Sequence, residues 1–125
     1  MKRYLFALLA LSLAGCAAAP IDPAVMAVAQ KPLECSNKAQ CDLWWSRAQV
    51  WVNDNSSLRI QTATDSVIST YGTDGMYIQY DVTRLNHADG SALIRITLGC
   101  GSQTCIDGTP YVQAAKFKQF VRNAG

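Results

Sequence analysis

Met76-Tyr77-Ile78-Gln79-Tyr80-Asp81-Val82-Thr83 is the stretch that decides the fold class. Met76, Ile78, Tyr80 and Val82 alternate with Tyr77, Gln79, Asp81 and Thr83, and a period of two belongs to a strand with one buried face. Gly72-Thr73-Asp74-Gly75 precedes it as a turn signal. After it, Asn86 to Gly90 reads as a loop ending in Asp89-Gly90, and Ile94, Ile96 and Leu98 alternate with Arg95 and Thr97 in another strand. Upstream, Leu58 to Thr64 sets Leu58, Ile60 and Thr62 against Arg59 and Gln61, while Val67 to Tyr71 is rich in β-branched and aromatic residues. Strands this close in sequence predict an antiparallel meander of three to four strands.

Helical periods flank the meander. Trp44, Ala48 and Trp51 fall at i, i+4 and i+7, and Trp45, Ala48 and Val52 widen the stripe. Asp42 is the expected N-cap of this helix, and Asn53-Asp54-Asn55-Ser56-Ser57 its end. Thr109-Pro110 starts a second helix, with Thr109 as cap. Ala114, Phe117 and Val121 form its apolar stripe, widened by Phe120, and Lys116, Lys118 and Arg122 sit late, where cations suit the helix dipole. The expected fold is α+β in two layers: the meander, with an N-terminal and a C-terminal helix packed on one face.

The first residues stand apart from this pattern. Lys2 and Arg3 open the chain, and Leu5 to Ala14 is apolar apart from Ser12. A helix of ten residues spans only about 15 Å, against roughly 30 Å of bilayer hydrocarbon, so this is an export signal and not a permanent span. Leu13-Ala14-Gly15-Cys16 closes it and resembles the lipobox of bacterial lipoproteins. The resemblance implies cleavage before Cys16, a diacylglyceryl thioether on its sulfur and an acylated amine. Ala17, where an aspartate would signal inner-membrane retention in Gram-negative members, implies an outer-membrane protein facing the periplasm. Residues 1–15 are then the signal peptide. Residues 16–33, with Pro20, Pro23 and Pro32, form a lipidated, partly extended tether, the rival being a short packed helix around Ala24 to Gln30. Residues 34–125 are one domain, too short for two cores.

The chain carries 11 Lys plus Arg against 9 Asp plus Glu. Lys2 and Arg3 account for the whole excess, so the mature side chains balance and give no electrostatic footprint for nucleic acid. Cys35, Cys41, Cys100 and Cys105 remain after Cys16, an even set that reads as a disulfide framework in an exported chain. Cys35–Cys41 and Cys100–Cys105 are the favoured pairs, with a long-range pairing as the rival. Their spacings lack the C-x-x-C of structural zinc or thioredoxin-like sites, so neither metal nor cofactor is expected.

His87, the single histidine, is a candidate general base, although a solvated turn is the plainer reading of a histidine beside Asp89-Gly90. Asp65, Asp74, Asp81, Asp89 and Asp107 offer carboxylates for an acid/base pair but read as turn and strand-exit residues. No catalytic residue is assigned. Trp44 and Trp45 diverge by roughly 100° on a helix, so one of them is expected at its edge. The plainer reading is that the tryptophans supply the bulk of a small core; Trp44, Trp45 and the solvent-facing Tyr77 are the candidate partner contacts, able to stack on a wall sugar or anchor a protein.

Cys41 with Trp44 and Trp45, then Ala48-Gln49-Val50-Trp51-Val52, then Ile60-Gln61-Thr62-Ala63-Thr64-Asp65 are similar to small Gram-negative lipoproteins of unassigned function. That resemblance implies no activity. The expected function is a lipid-anchored binding or interaction module of the cell envelope, held to the membrane through Cys16, with an envelope protein or peptidoglycan as partner. The alternatives are a membrane-tethered inhibitor that inserts the Gly99 to Gly108 disulfide loop into an enzyme, and an envelope hydrolase using His87.

Overall fold

The computed structural model describes residues 21–72, 75–100 and 108–124. In chain order the elements are α1 (Pro23–Gln30), β1 (Leu33–Cys35), α2 (Lys38–Asn55), β2 (Ile60–Ala63), β3 (Val67–Thr70), β4 (Gln79–Asn86), β5 (Ala92–Gly99) and α3 (Thr109–Asn123). The strands form one antiparallel sheet in the order β1-β5-β4-β3-β2. The expected meander is therefore present as β2 to β5, and a fifth strand, β1, is added along the free edge of β5. β1 is three residues long, too short to show a period, and only its pairing of Leu33 with Ile94 and Cys35 with Ala92 makes it a strand.

The core lies between one sheet face and two helices. Leu33, Ile68, Tyr80, Val82 and Ile94 project from the sheet and meet Trp45, Ala48, Trp51 and Val52 of α2 and Phe117 and Val121 of α3. Trp51 is the hub, with Tyr80 and Phe117 each edge-on to its ring at 5.4 Å between centroids. The opposite sheet face is open, with Thr83, Arg95 and Thr97 exposed beside Leu85. This is the two-layer α+β arrangement the alternation requires.

Local chemistry moves several boundaries. α2 begins at Lys38, not after Asp42. Asn37 is its N-cap and accepts from Gln40 N (2.9 Å), while the Gln40 side chain accepts from Ser36 N (2.7 Å). That exchange resembles a capping box, and its Asn-x-x-Gln spacing is legible in the sequence. β4 begins at Gln79, so Met76 to Ile78 belong to the loop after β3, and Tyr80 N donates to Thr70 Oγ1. α3 is capped by Gly108 and not by Thr109; Ala115, rather than Ala114, joins Phe117 and Val121 in burial.

Residues 23–33, expected to fall in the tether, carry the rival short helix. Asp22 caps α1 through Ala24 N (2.8 Å), and Pro23 occupies the first turn, where its missing N–H costs nothing. Pro32 lies beyond the C-cap Lys31, so these two prolines bracket the helix instead of breaking it. α1 packs on α3, and basic side chains lock it there. Lys118 Nζ donates to Ala29 O (2.6 Å) and Lys31 O (2.9 Å), and Arg122 Nη2 to Pro32 O (2.8 Å). Arg47 of α2 in turn donates to Val121 O (3.0 Å) at the end of α3. Two of the three cations placed late in α3 by the dipole argument, Lys118 and Arg122, thus serve carbonyls at the end of α1 and just beyond it.

Cys35 and Cys41 form a disulfide that ties the end of β1 to the first turn of α2. Cys100 is also disulfide-bonded; Cys105 and the rest of the 101–107 loop lie outside the described residues, as does the lipobox. No helix among the described residues is long and apolar enough to cross a membrane.

Candidate functional site

Even-numbered residues of β4 face the helices, so after Tyr80 and Val82 the next to do so is Arg84. It lies past the apolar core, where α2 overhangs the sheet. Its side chain is 10% exposed, and its guanidinium donates from Nη2 to Asp42 Oδ1 (2.9 Å) and from Nε to Asn86 Oδ1 (2.8 Å). Lys38, one turn before Asp42 on α2, donates to the other carboxylate oxygen at 2.5 Å. Both Asp42 oxygens are therefore engaged. The hydrogen bond from Lys38, then that from Arg84, holds this carboxyl below its ordinary value of 3.8. The Lys38 arm is 82% exposed and adds little to stability; the Arg84 arm is shielded and fixes the geometry.

This ion cluster forms one wall of an open groove of about 490 Å³, lined also by Trp45, Ser46, Gln49 and Asp65. Trp45 Nε1 donates to Thr64 O (2.9 Å), which pins the turn between β2 and β3 to α2. Thr64 Oγ1 accepts from Val67 N (3.0 Å) and tightens the same turn, so Asp65 is held at the rim. Ser46, Gln49 and Asp65 make no side-chain hydrogen bond among the described residues, which leaves a hydroxyl, an amide and a carboxylate directed to whatever fills the groove. The arrangement suits recognition of a polar, charged segment: the groove carries the Asp65 carboxylate, while the charges of Lys38, Asp42 and Arg84 are already paired with one another.

The expected contact residues are dispersed. Trp45 is 7% exposed and is a core residue with its N–H satisfied, which removes it as an open stacking face. Trp44 is half-buried against the core and the Cys35–Cys41 cluster. Tyr77 is 41% exposed but lies in the loop before β4, beside the far end of α2, in a separate cleft with Asn55, Met76, Tyr80 and Gln113. Asn55 is ten residues from Trp45, about 15 Å along the helix.

His87 is exposed in the turn between β4 and β5, where its N–H donates to Ser91 O (2.8 Å), and it borders a cleft with Glu34, Ser36 and Ser91. In the same turn Asp89 accepts from Ser91 Oγ (2.6 Å) and Ser91 N (2.9 Å), bonds that hold its carboxyl below 3.8. Asp81 accepts from Ser69 Oγ and from Gln79 Nε2 on the outer sheet face. Asp65, Asp81 and Asp89 therefore occupy three different places; Asp74 and Asp107 lie outside the described residues. Among the described residues no three His, Cys, Asp or Glu side chains gather as a metal site would need.

The sequence reading missed Lys38, Ser46, Gln49, Arg84 and Asn86 and took Asp42 for a cap. One signal was available. Arg84 continues the apolar parity of Tyr80 and Val82 with a charge, and a charge on a core-facing position calls for a partner. No protein-family model matches the chain, and neither a curated protein nor a solved structure matches it at a significant level.

Proposed function

We propose that this protein is a lipid-anchored binding module of the cell envelope that presents the groove between α2 and the end of β4 to a polypeptide partner. The observation that carries this reading is the groove's division of labour. Asp42 pairs with Lys38 and Arg84, and Asn86 accepts from Arg84, so these residues set the shape, while Ser46, Gln49 and Asp65 keep their hydrogen-bonding capacity. The Leu13 to Cys16 lipobox supports the anchor, and Ala17 after it supports the outer-membrane location. A protein segment with a basic side chain for Asp65 suits the lining better than peptidoglycan, because the burial of Trp45 takes away the ring face that a sugar would stack on.

The test places a photo-crosslinking residue at Gln49 in the lipidated chain in cells, with Cys16→Ala and Asp65→Lys as comparisons. The expected result is one recurrent protein adduct, reduced in both variants. An adduct insensitive to Asp65→Lys excludes the groove as the contact. A Cys16→Ala chain that fractionates and crosslinks like the wild type excludes the anchor.

A further inference from the structure

Among the described residues, four of the seven exposed large hydrophobics lie toward one end of the molecule: Tyr71 (48% exposed), Met76 (60%), Tyr77 (41%) and Tyr111 (45%). Tyr71 follows β3, and Met76 and Tyr77 precede β4. Tyr111 is in the first turn of α3, at the same end of the molecule; Gln113, on another face of that helix, lines one cleft with Met76 and Tyr77. The remaining three, Leu43, Val50 and Leu85, are spread over α2 and the outer sheet face.

The chain enters the fold at that same end. α1 and α3 run parallel: Ile21 sits against Gly108 at the start of α3, where an added Cβ would lie 2.5 Å from Ile21 Cδ1, and Ala29 and Lys31 meet Lys118 a few turns later. Only five residues separate Cys16 from the cap Asp22, a reach of at most about 20 Å even fully extended. The β4–β5 turn and the groove lie at the other end of an eight-residue strand, about 25 Å further away.

Resting on the lipid-anchor reading above, we infer that the Tyr71, Met76, Tyr77 and Tyr111 end lies against the bilayer surface and holds the domain upright, with the groove facing away from the membrane. Tyrosine suits this position: its ring enters the headgroup region while its hydroxyl stays hydrated. Acyl chains on Cys16 supply the affinity, and the short link makes contact at this end an intramolecular event.

The experiment is a pulse of hydroxyl radicals on the mature, lipidated chain in phosphatidylcholine vesicles, read residue by residue by mass spectrometry. The Cys16→Ala chain with the same vesicles is the comparison, and the mass of the Cys16 peptide reports lipidation. Oxidation of Tyr71, Met76, Tyr77 and Tyr111 is expected to fall several-fold in the anchored chain, with Leu43, Val50 and Leu85 unchanged. Unchanged oxidation of the four in a lipidated chain that floats with the vesicles overturns the proposal and leaves the anchor standing. A Cys16 without lipid overturns both. Protection that appears in the Cys16→Ala chain and grows with protein concentration assigns the patch to a second copy and also overturns it.

Discussion

Gly108 meets two demands that no other residue meets together. Its φ is +76°, in the left-handed region, and the space where a Cβ would stand is taken by Ile21. Gly108→Ala is expected to destabilise the fold by about 1–3 kcal/mol, from backbone strain and from displacement of Ile21, as read by denaturant unfolding. Asp42 makes a different kind of prediction. Its folded-state pKa lies below the ordinary 3.8, so it stabilises the fold above that value, and the contribution is lost as pH falls through the lowered one. Asp42→Asn should therefore flatten the fall of stability with pH across the acid limb, while curves taken near neutrality keep their shape.

The helices owe their positions to side chains of their neighbours as much as to their own caps. α1 has eight residues and cannot persist in isolation, since helices this short are marginal in water. What holds it is its packing on α3 and the two bonds from Lys118 to its C-terminal end. Lys118→Met keeps the aliphatic stem and removes both bonds. Faster hydrogen exchange of the α1 amides is expected, equivalent to about 1–2 kcal/mol of local stability, with β4 and β5 amides unchanged. Exchange that accelerates equally throughout would mean that α1 is no separate unit. At this scale β4 and β5 were readable because alternation persists over eight residues, and β3 because its four are mostly β-branched. α1 and β1 were not: Pro23 and Pro32 read as breakers until one sees that they stand at its start and beyond its end, and β1 has no period of its own.

Across the whole molecule the sheet direction separates two tasks. The chain enters beside the β3–β4 loop and the start of α3, where the exposed tyrosines are. The groove lies at the opposite end, where α2 begins and β4 ends. Under the proposed anchor at Cys16, this arrangement keeps the proposed recognition groove clear of the lipid. The Cys35–Cys41 disulfide sits at the groove end and fixes the start of α2, on which Lys38 and Asp42 stand.

The sequence by itself determined the α+β class, the meander and the helical stripe around Trp51, because those features repeat with the period of the element that carries them. It also favoured the Cys35–Cys41 pair over a long-range pairing, and the structure contains that bond. The tertiary structure alone decided the β1–β5 pairing, the docking of α1 on α3 and the assembly of the groove. Asp42 and Arg84 are separated by 42 residues, and neither carries any mark of the other. A hydrophobic period is a local property of the chain, whereas an ion pair between a helix and a strand exists only once packing has brought the two together.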